Sequence, residues 1–304
     1  MNLCLNKRHA MRLPGHPRRP PDPALLKELR RRIGKLERAA AGPASAGAIA
    51  FGAAAIDGAL PWGGLPAGAL NEVLGSASAG GAWSGPVFAA AAGFAAALAG
   101  RANHGRGTVL WCRRGRGLYG PGLAGLGLDP ARLIVVHGDT DADILWAMEE
   151  GLRSGAPAAV LGEAVGPSAV ALRRLQLAAE TGGAVALLLH AASGDQATSP
   201  ATTRWRITAA PTPSPRDRWP GPPRWRVELL KCRGGAPASR PRAWPRTWLV
   251  EWRGPTGNGK SGKDQEHDEA GGFAVAAELR HRPAKPAAGG GRSAIRRDGG
   301  RLAV

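Results

Sequence analysis

Four near-continuous apolar runs, separated by helical segments, constrain the fold of this chain more than any other feature. The runs are TVLWC (108–112), ARLIVVH (131–137), APAAVLGEA (156–164) and GAVALLLH (183–190). Strands that are apolar on both faces need cover on both faces. Their alternation with helices therefore predicts an α/β fold with a mostly parallel sheet and helices on both faces. Any ligand site of such a sheet is expected at the carboxyl ends of the strands.

The segments between these runs have helical periodicity. The helix after ARLIVVH is expected to begin at an N-cap of Asp139 or Asp141. The helix over 168–181 has Val170, Leu172, Leu175 and Leu177 as its apolar positions. We expect both helices to cover the sheet with their apolar sides.

A strand, a glycine-rich loop (75–85) and an Ala-rich helix (87–99) precede these elements. This is the layout of a phosphate-binding loop, in which backbone N–H groups hold the anion while Lys and Ser/Thr hold the outer phosphates and Mg²⁺. The pattern G-x-x-x-x-G-K-[ST] keeps its two glycines here but lacks the cation and the hydroxyl. Its positions fall at Gly75, Gly80, Gly81 and Ala82. The unit is either a weak anion nest or a turn that packs a helix on the sheet.

A second stretch, GPTGNGKS (254–261), satisfies the same pattern in full, with Lys260 at the cation position. A phosphate-binding loop also needs a following helix that packs on the sheet. The residues after Ser261 have no apolar stripe. We therefore interpret the stretch as a hairpin loop between the strand-like runs TWLVEW and FAVAAEL.

The net charge of +18 is concentrated at the two ends of the chain. Residues 1–40 carry 11 Lys/Arg against 3 Asp/Glu, residues 41–200 carry 9 against 11, and residues 201–304 carry 21 against 9. Basic ends are typical of proteins that contact nucleic acid or an acidic partner, although a GC-rich coding sequence also enriches Arg. Three widely separated cysteines, Cys4, Cys112 and Cys232, indicate a reducing cytoplasm and argue against a zinc site. The basic start of the chain lacks the apolar core of a secretory signal, and no run approaches the length of a membrane span.

These observations divide the chain into five parts. They are a disordered basic arm (1–22), an amphipathic helix and linker (23–45), the α/β core (46–200), a Trp/Arg-rich β extension (201–282) and a disordered basic tail (283–304). The helix has one apolar stripe, which must pack either on the core or on a partner. The stripe consists of Leu25, Leu26, Leu29, Ile33 and Leu36.

The β extension alternates aromatic and basic residues with period two. One interpretation is a half-buried sheet with Trp in the core and Arg in solvent. The other is a surface for single-stranded DNA or a partner, with bases stacked on Trp and phosphates on Arg. The candidate contact residues are Arg204, Trp205, Arg206, Arg224, Trp225 and Arg226.

The order of these segments resembles a known family. IDGALPWGGLPAGALNEVLG, the glycine loop and LYGPGLAGLGLDPARLIVVHGDTDADILWAMEEGLRSGAPAAVLGEAVG are similar to successive parts of the RecA-like recombinase core. The chain from LLKELRRRIGKLE to the segments RWRITAAP, RWRVELLKCRGG and TWLVEW resembles the ImuA-type damage-inducible mutagenesis proteins. The match covers roughly residues 25–280, and its specificity lies in the order of the segments.

The resemblance implies that the ATPase residues of active RecA-like proteins are missing. Their loop Lys and Thr fall on Gly81 and Ala82, and the acid expected after TVLWC falls among Arg113 and Arg114. Their metal-binding Asp falls on Gly162. The adjacent Glu163 is either a residual acid or a solvated loop acid at a strand end. One carboxylate without Lys or hydroxyl makes a poor Mg-nucleotide site, so we expect no cofactor, no metal and no enzyme activity.

The same resemblance implies a non-catalytic accessory role in SOS-induced, error-prone translesion synthesis. The implied partners are an inactive Y-family-like polymerase subunit, an error-prone polymerase of the replicative class and the RecA recombinase. We expect a cytoplasmic or nucleoid-associated protein without a membrane partner. Two alternatives stay open, namely an active ATPase that uses Lys260 or an unrecognised site, and an SOS-type cell-division inhibitor.

Overall fold

The computed structural model describes residues 47–75, 86–103, 107–115, 117–191, 199–212, 221–234, 246–255 and 271–279. Within them, eleven strands and five α-helices follow one another along the chain. The strands are β1 (Ala48–Ile49), β2 (Leu65–Pro66), β3 (Ala69–Gly75), β4 (Thr108–Arg113), β5 (Leu133–His137), β6 (Pro157–Glu163), β7 (Val185–Ala191), β8 (Thr203–Ala209), β9 (Arg224–Cys232), β10 (Arg246–Arg253) and β11 (Gly272–Leu279). The helices are α1 (Ala54–Asp57), α2 (Pro86–Asn103), α3 (Gly120–Gly125), α4 (Asp141–Ser154) and α5 (Ala169–Gly182).

Nine strands form one sheet in the order β11-β10-β9-β8-β3-β7-β6-β4-β5. The six strands from β8 to β5 in this order run parallel, and β9, β10 and β11 continue the sheet in antiparallel fashion. The predicted α/β class with a mostly parallel sheet is confirmed. The β extension is not a separate layer, because β8 pairs directly with β3 in the middle of the sheet.

Helices cover the two faces of the sheet, as predicted. On one face, Phe94 and Leu98 of α2 pack in a core that also contains Trp111, Trp205 and Trp248. On the other face, α4 and α5 bury a second core that contains Ile144, Met148, Leu172, Leu175 and Leu188. We refer to these as the α2 face and the α4–α5 face.

Three local predictions need correction. The N-cap of α4 is Thr140, whose hydroxyl accepts from the Asp143 amide while the Asp143 carboxylate accepts from the Thr140 amide. The hydroxyl reaches the amide of the first turn, so neither Asp139 nor Asp141 is the cap. The helix expected over LYGPGLAGLGL is confined to α3, and the strand expected from Ala131 begins at Leu133 after a 3₁₀ turn.

Only two of the four apolar positions expected for α5 face the sheet. Val170 and Leu177 of α5 face solvent, whereas Leu172 and Leu175 are buried. Only one side of a helix can pack on the sheet, and in α5 this side carries Leu172 and Leu175. The two remaining apolar residues therefore lie on the opposite side of the helix.

Several sequence predictions concern residues outside the described part of the chain. They are the basic arm, the amphipathic helix, most of the glycine-rich loop (76–85), the stretch that contains Lys260 and the basic tail. The strands on either side of the Lys260 stretch do pair antiparallel, with Trp252 of β10 opposite Phe273 of β11. This pairing agrees with the hairpin interpretation.

Candidate functional site

The carboxyl ends of β4 and β6 bring Trp111, Arg113 and Glu163 together on the α2 face. Glu163 is the last residue of β6 and is buried. Its carboxylate accepts a hydrogen bond of 2.8 Å from Trp111 Nε1, and Arg113 Nε lies 3.5 Å from the same Oε1 atom. Parallel pairing places Cys112 opposite Gly162, so Arg113 and Glu163 follow as neighbours at the strand ends. The cluster lies at the edge of the sheet where sequence reasoning expected a site.

The ionisation of Glu163 reflects two opposing influences. Burial raises the pKa of this carboxyl, and the charge of Arg113 and the hydrogen bond from Trp111 counteract only part of the effect. The expectation of a solvated loop acid is therefore wrong. The carboxylate is desolvated, and its Oε1 atom already has a cation and a hydrogen-bond donor as neighbours.

Gly162 lies on the opposite face of the sheet from this cluster. A Cβ atom built at Gly162 would overlap Met148 Sδ and lie 2.7 Å from Met148 Cγ. Met148 belongs to α4 and is fully buried. An Asp at this position would point at α4, away from the face on which α2 follows the glycine-rich loop. Glu163, and not Gly162, lies on the α2 face at this end of β6. The expected placement of the metal-binding position at Gly162 is therefore corrected to Glu163.

The phosphate-loop positions are only partly described. Gly75 ends β3 between Ala191 of β7 and Ile207 of β8. Gly80, Gly81 and Ala82 lie outside the described residues, so the choice between an anion nest and a packing turn stays a prediction. Within the described ranges, no group of three or more His, Cys, Asp or Glu side chains is arranged to hold a metal ion.

A charged cluster that the sequence analysis missed lies beneath the α4–α5 face. Glu72 of β3 is fully buried, and its Oε1 lies 3.1 Å from His190 Nε2 of β7. Its Oε2 lies 3.1 Å from Arg204 Nε of β8. Burial acts to raise the pKa of Glu72, but the hydrogen bond and charge of His190 and the charge of Arg204 outweigh it and hold the pKa below its ordinary value. The sequence did contain a signal for this cluster, because Glu72 is the one charged residue inside the apolar run ALNEVLG.

Comparison with known proteins now adds to this geometry. The chain is 44% identical over 141 residues to Protein ImuA of Caulobacter vibrioides strain NA1000 / CB15N and equally to that of strain ATCC 19089 / CIP 103742 / CB 15. The predicted resemblance to ImuA-type proteins is confirmed. The aligned segment covers 43% of this chain and 58% of each ImuA protein, so the chain spans less than two thirds of the length of these relatives.

Other comparisons are less specific. A crystal structure of the RadB recombinase is similar with a TM-score of 0.44 and 13% sequence identity, over 74% of this chain and 98% of the RadB chain. No protein-family model matches the sequence. In the described part of the chain, no helix has the length and apolar character needed to cross a membrane.

The two candidate tryptophans of the β extension are core residues. Trp205 is fully buried, with ring centroids 5.3 Å from Phe51 and 6.4 Å from Trp248. Trp225 is buried against the edge of Phe94, at 5.8 Å between centroids. Neither ring offers a face on which a base could stack, which corrects the candidate DNA-contact role of both residues.

The four candidate arginines have different environments. Arg204 is buried against Glu72, which removes it from the candidate contact residues. Arg206 has 43% of its side chain exposed, and its Nη1 atom lies 2.7 Å from Glu228 Oε2. Arg224 Nε lies 3.1 Å from Glu251 Oε2. Arg226 is exposed. Arg206, Arg224 and Arg226 share one side of β8 and β9, which we call the basic face.

Proposed function

We propose that this chain is a non-catalytic accessory protein in SOS-induced, error-prone translesion DNA synthesis. Its similarity to Protein ImuA supports a role in damage-induced mutagenesis. The observation that carries the non-catalytic part is the contact between Arg113 and Glu163, since the acid at the carboxyl end of β6 faces an internal guanidinium. Phosphoryl transfer depends on a metal ion and a Lys that neutralise the developing charge. At the Glu163 site, the cation beside the carboxylate is Arg113, a residue of the protein itself.

The partners that we propose are a Y-family-like polymerase subunit that lacks activity, an error-prone polymerase of the replicative class and the RecA recombinase. Without a nucleotide-driven switch, the remaining use of such a core is to present surfaces for assembly. The basic face presents the exposed Arg226 beside Arg206 and Arg224, which are paired with Glu228 and Glu251. A cytoplasmic location at the nucleoid is part of this proposal.

An assay of the purified full chain tests the non-catalytic part. We expect no ATP hydrolysis with Mg²⁺ and single-stranded DNA, and the same result for Glu163→Gln and Lys260→Ala. The Lys260→Ala variant covers the alternative that the stretch 254–261 binds nucleotide. DNA-stimulated hydrolysis that disappears in Lys260→Ala or in Glu163→Gln would contradict the proposal.

A mutagenesis assay tests the cellular role. In cells that lack the chain, the wild-type protein should restore damage-induced mutation frequency, and Glu163→Gln should restore it equally. A double variant, Arg206→Ala with Arg226→Ala, should reduce mutagenesis and the recovery of polymerase subunits with the protein. Arg132→Ala, which removes a half-exposed arginine paired with Asp129 in the turn before β5, is the matched control. Full mutagenesis by the double variant would show that the basic face is not the assembly surface.

The same double variant separates DNA from protein partners. If the basic face binds DNA, removal of two phosphate contacts should weaken binding evenly across sequences. It should also lower the slope of log K against log salt by about 1.4 on single strands. An unchanged slope together with lost polymerase recovery would assign the face to protein partners alone.

A further inference from the structure

Four of the six large apolar side chains that are exposed in the described residues lie on one outer surface. This surface, the α4–α5 outer surface, is formed by the solvent sides of the two helices and the turn before α5. Its apolar members are Trp146 (63% exposed), Val165 (40%), Val170 (71%) and Leu177 (45%). Exposed apolar residues that are concentrated on one surface mark a docking surface more often than isolated ones do.

The helices that present this surface are fixed to each other. Arg174 Nε of α5 donates to Glu149 Oε1 of α4 at 3.1 Å, and the Asp141 carboxylate accepts from the Val165 amide at 2.9 Å. Val170 and Leu177 are seven residues apart and therefore share one stripe of α5. Trp146 lies on the side of α4 opposite the buried Ile144 and Met148.

We infer that the amphipathic segment 23–38 of this same chain docks on the α4–α5 outer surface. The segment lies outside the described residues, and its sequence predicts a helix with a single apolar stripe. Such a stripe gains stability only when an apolar surface covers it. The α4–α5 outer surface offers apolar residues on a rigid helical pair, which suits a third helix packed against two.

The start of the described chain places the segment within reach. The Ala67 amide donates to the Gly47 carbonyl at 3.2 Å, and the Gly68 amide donates to the Ala184 carbonyl at 3.1 Å. Gly183 is the C-cap of α5, so Gly47 lies near the carboxyl end of that helix. The roughly ten residues between Leu36 and Gly47 span up to about 35 Å when extended. The 14 residues of α5 extend over only about 21 Å, so the linker permits docking anywhere along it.

Charge also favours this occupant. The segment 23–38 carries six Lys/Arg against two Glu, whereas α4 and α5 together carry five acidic residues against three Arg. Asp143 and Glu150 lie three residues before and four residues after Trp146, on the same side of α4. A basic helix is therefore attracted to the side of α4 that presents the exposed tryptophan.

Thiol labelling of the full chain tests the inference. The background is Cys4→Ser with Cys232→Ser, because Cys232 is only partly buried. Cys112 is buried, and burial raises its pKa to about 12 and leaves it protonated near neutral pH. A probe cysteine is placed at Leu177→Cys and labelled with a maleimide. Disruption of the stripe by Leu29→Asp with Ile33→Asp should accelerate labelling at least about tenfold, since burial of a few apolar side chains shifts an equilibrium by that factor or more.

Two further variants control the result. Arg173→Cys, between Val170 and Leu177 on the same stripe, reports on the surface without removing an apolar side chain, and its labelling should show the same acceleration. Tyr119→Cys, an exposed apolar position next to α3 on the other side of the sheet, should label at one rate in both backgrounds. Equal rates at both surface probes with and without the stripe substitutions would overturn the inference. Protection that depends on protein concentration would also overturn it, because the occupant would then be a second copy.

Discussion

At the scale of single residues, two buried glutamates show how neighbours decide the ionisation of an acid. Glu163 meets one guanidinium at 3.5 Å and one indole donor, and burial prevails, so its pKa is raised. Glu72 meets both His190 and Arg204 at 3.1 Å, and these contacts prevail over burial, so its pKa is lowered. The two acids therefore contribute to stability with opposite dependence on pH.

For Glu163, the folded pKa lies above the unfolded value, so the ionised carboxylate disfavours the folded state at neutral pH. Glu163→Gln keeps an oxygen acceptor for Trp111 and removes the charge. We expect its free energy of unfolding at pH 7.5 to equal or exceed that of the wild type, with a difference that shrinks as pH falls toward 5. Thermal unfolding at both pH values measures this. Glu163→Ala should cost about 1–3 kcal/mol, because the Trp111 N–H is left without its acceptor.

For Glu72, the folded pKa lies below the unfolded value, so its contribution is present above about pH 4.5 and is lost as pH falls through the folded pKa. Glu72→Ala should cost about 3–5 kcal/mol at pH 7, because Arg204 is left buried without its acid. Denaturant unfolding measures the change. Glu228→Ala, which removes the partner of the half-exposed Arg206, is the control and should cost at most about 1 kcal/mol. Equal costs for the two variants would contradict the central role of the Glu72 cluster.

At the scale of elements, the local sequence sets where a helix begins, whereas the tertiary structure sets which side of the helix is buried. The capping box at Thr140 and the Ser168 cap on α5 are local, since each cap accepts from an amide three residues later. The exposed side of α5 is not local. The hydrophobic period of its sequence includes Val170 and Leu177, but the position of the sheet selects Leu172 and Leu175 for burial.

The cap of α4 gives a prediction at this scale. Thr140→Ala should lower the free energy of unfolding by about 1 kcal/mol, because it leaves an amide of the first turn without its acceptor. Thr181→Ala removes an exposed hydroxyl that donates to the Leu177 carbonyl near the end of α5, and it should change stability by a few tenths of this amount. Urea unfolding of both variants measures the difference. A Thr140→Ala cost no larger than that of Thr181→Ala would show that the cap is dispensable.

At the scale of the whole molecule, the β extension and the parallel core are one folding unit. β8 pairs with β3, and Trp205, Val227 and Trp248 lie in the same core as Phe94 of α2. Loss of β8 to β11 would expose this core and leave Glu72 without Arg204. A truncation at residue 200 therefore does not isolate an interaction surface, and substitutions on the basic face are the sharper test.

This connection yields a prediction for two truncations. A chain that ends at residue 200 should fail to fold cooperatively, because the α2 face loses most of its aromatic cover. A chain that ends at residue 282 keeps every described strand and should unfold with a transition close to that of the full chain. Circular dichroism during thermal unfolding separates the two outcomes. A cooperative transition in the shorter chain would show that the extension is an independent unit.

The sequence by itself determined the α/β class, the order of strands and helices and the absence of Lys and Ser/Thr from the glycine-rich loop. Each of these follows from local periodicity or from residue identity at fixed spacing. Only the tertiary structure decided which Arg of the extension faces inward. Arg204, Arg206, Arg224 and Arg226 share one alternation, and period two reveals which residues share a side of a strand but not what lies beside it.

The neighbouring strands supplied that information. Arg204 is buried because β8 lies next to β3, which carries Glu72 at the paired position, whereas Arg226 of β9 is paired with Thr208 of β8 and Leu249 of β10, neither of which is an acid. In the same way, the sequence identified Gly162 and Glu163, but the packing of Met148 behind Gly162 placed the remaining acid on the α2 face. These contacts are set by pairing between strands that are distant in sequence, and such pairing cannot be predicted from the local sequence pattern of one strand.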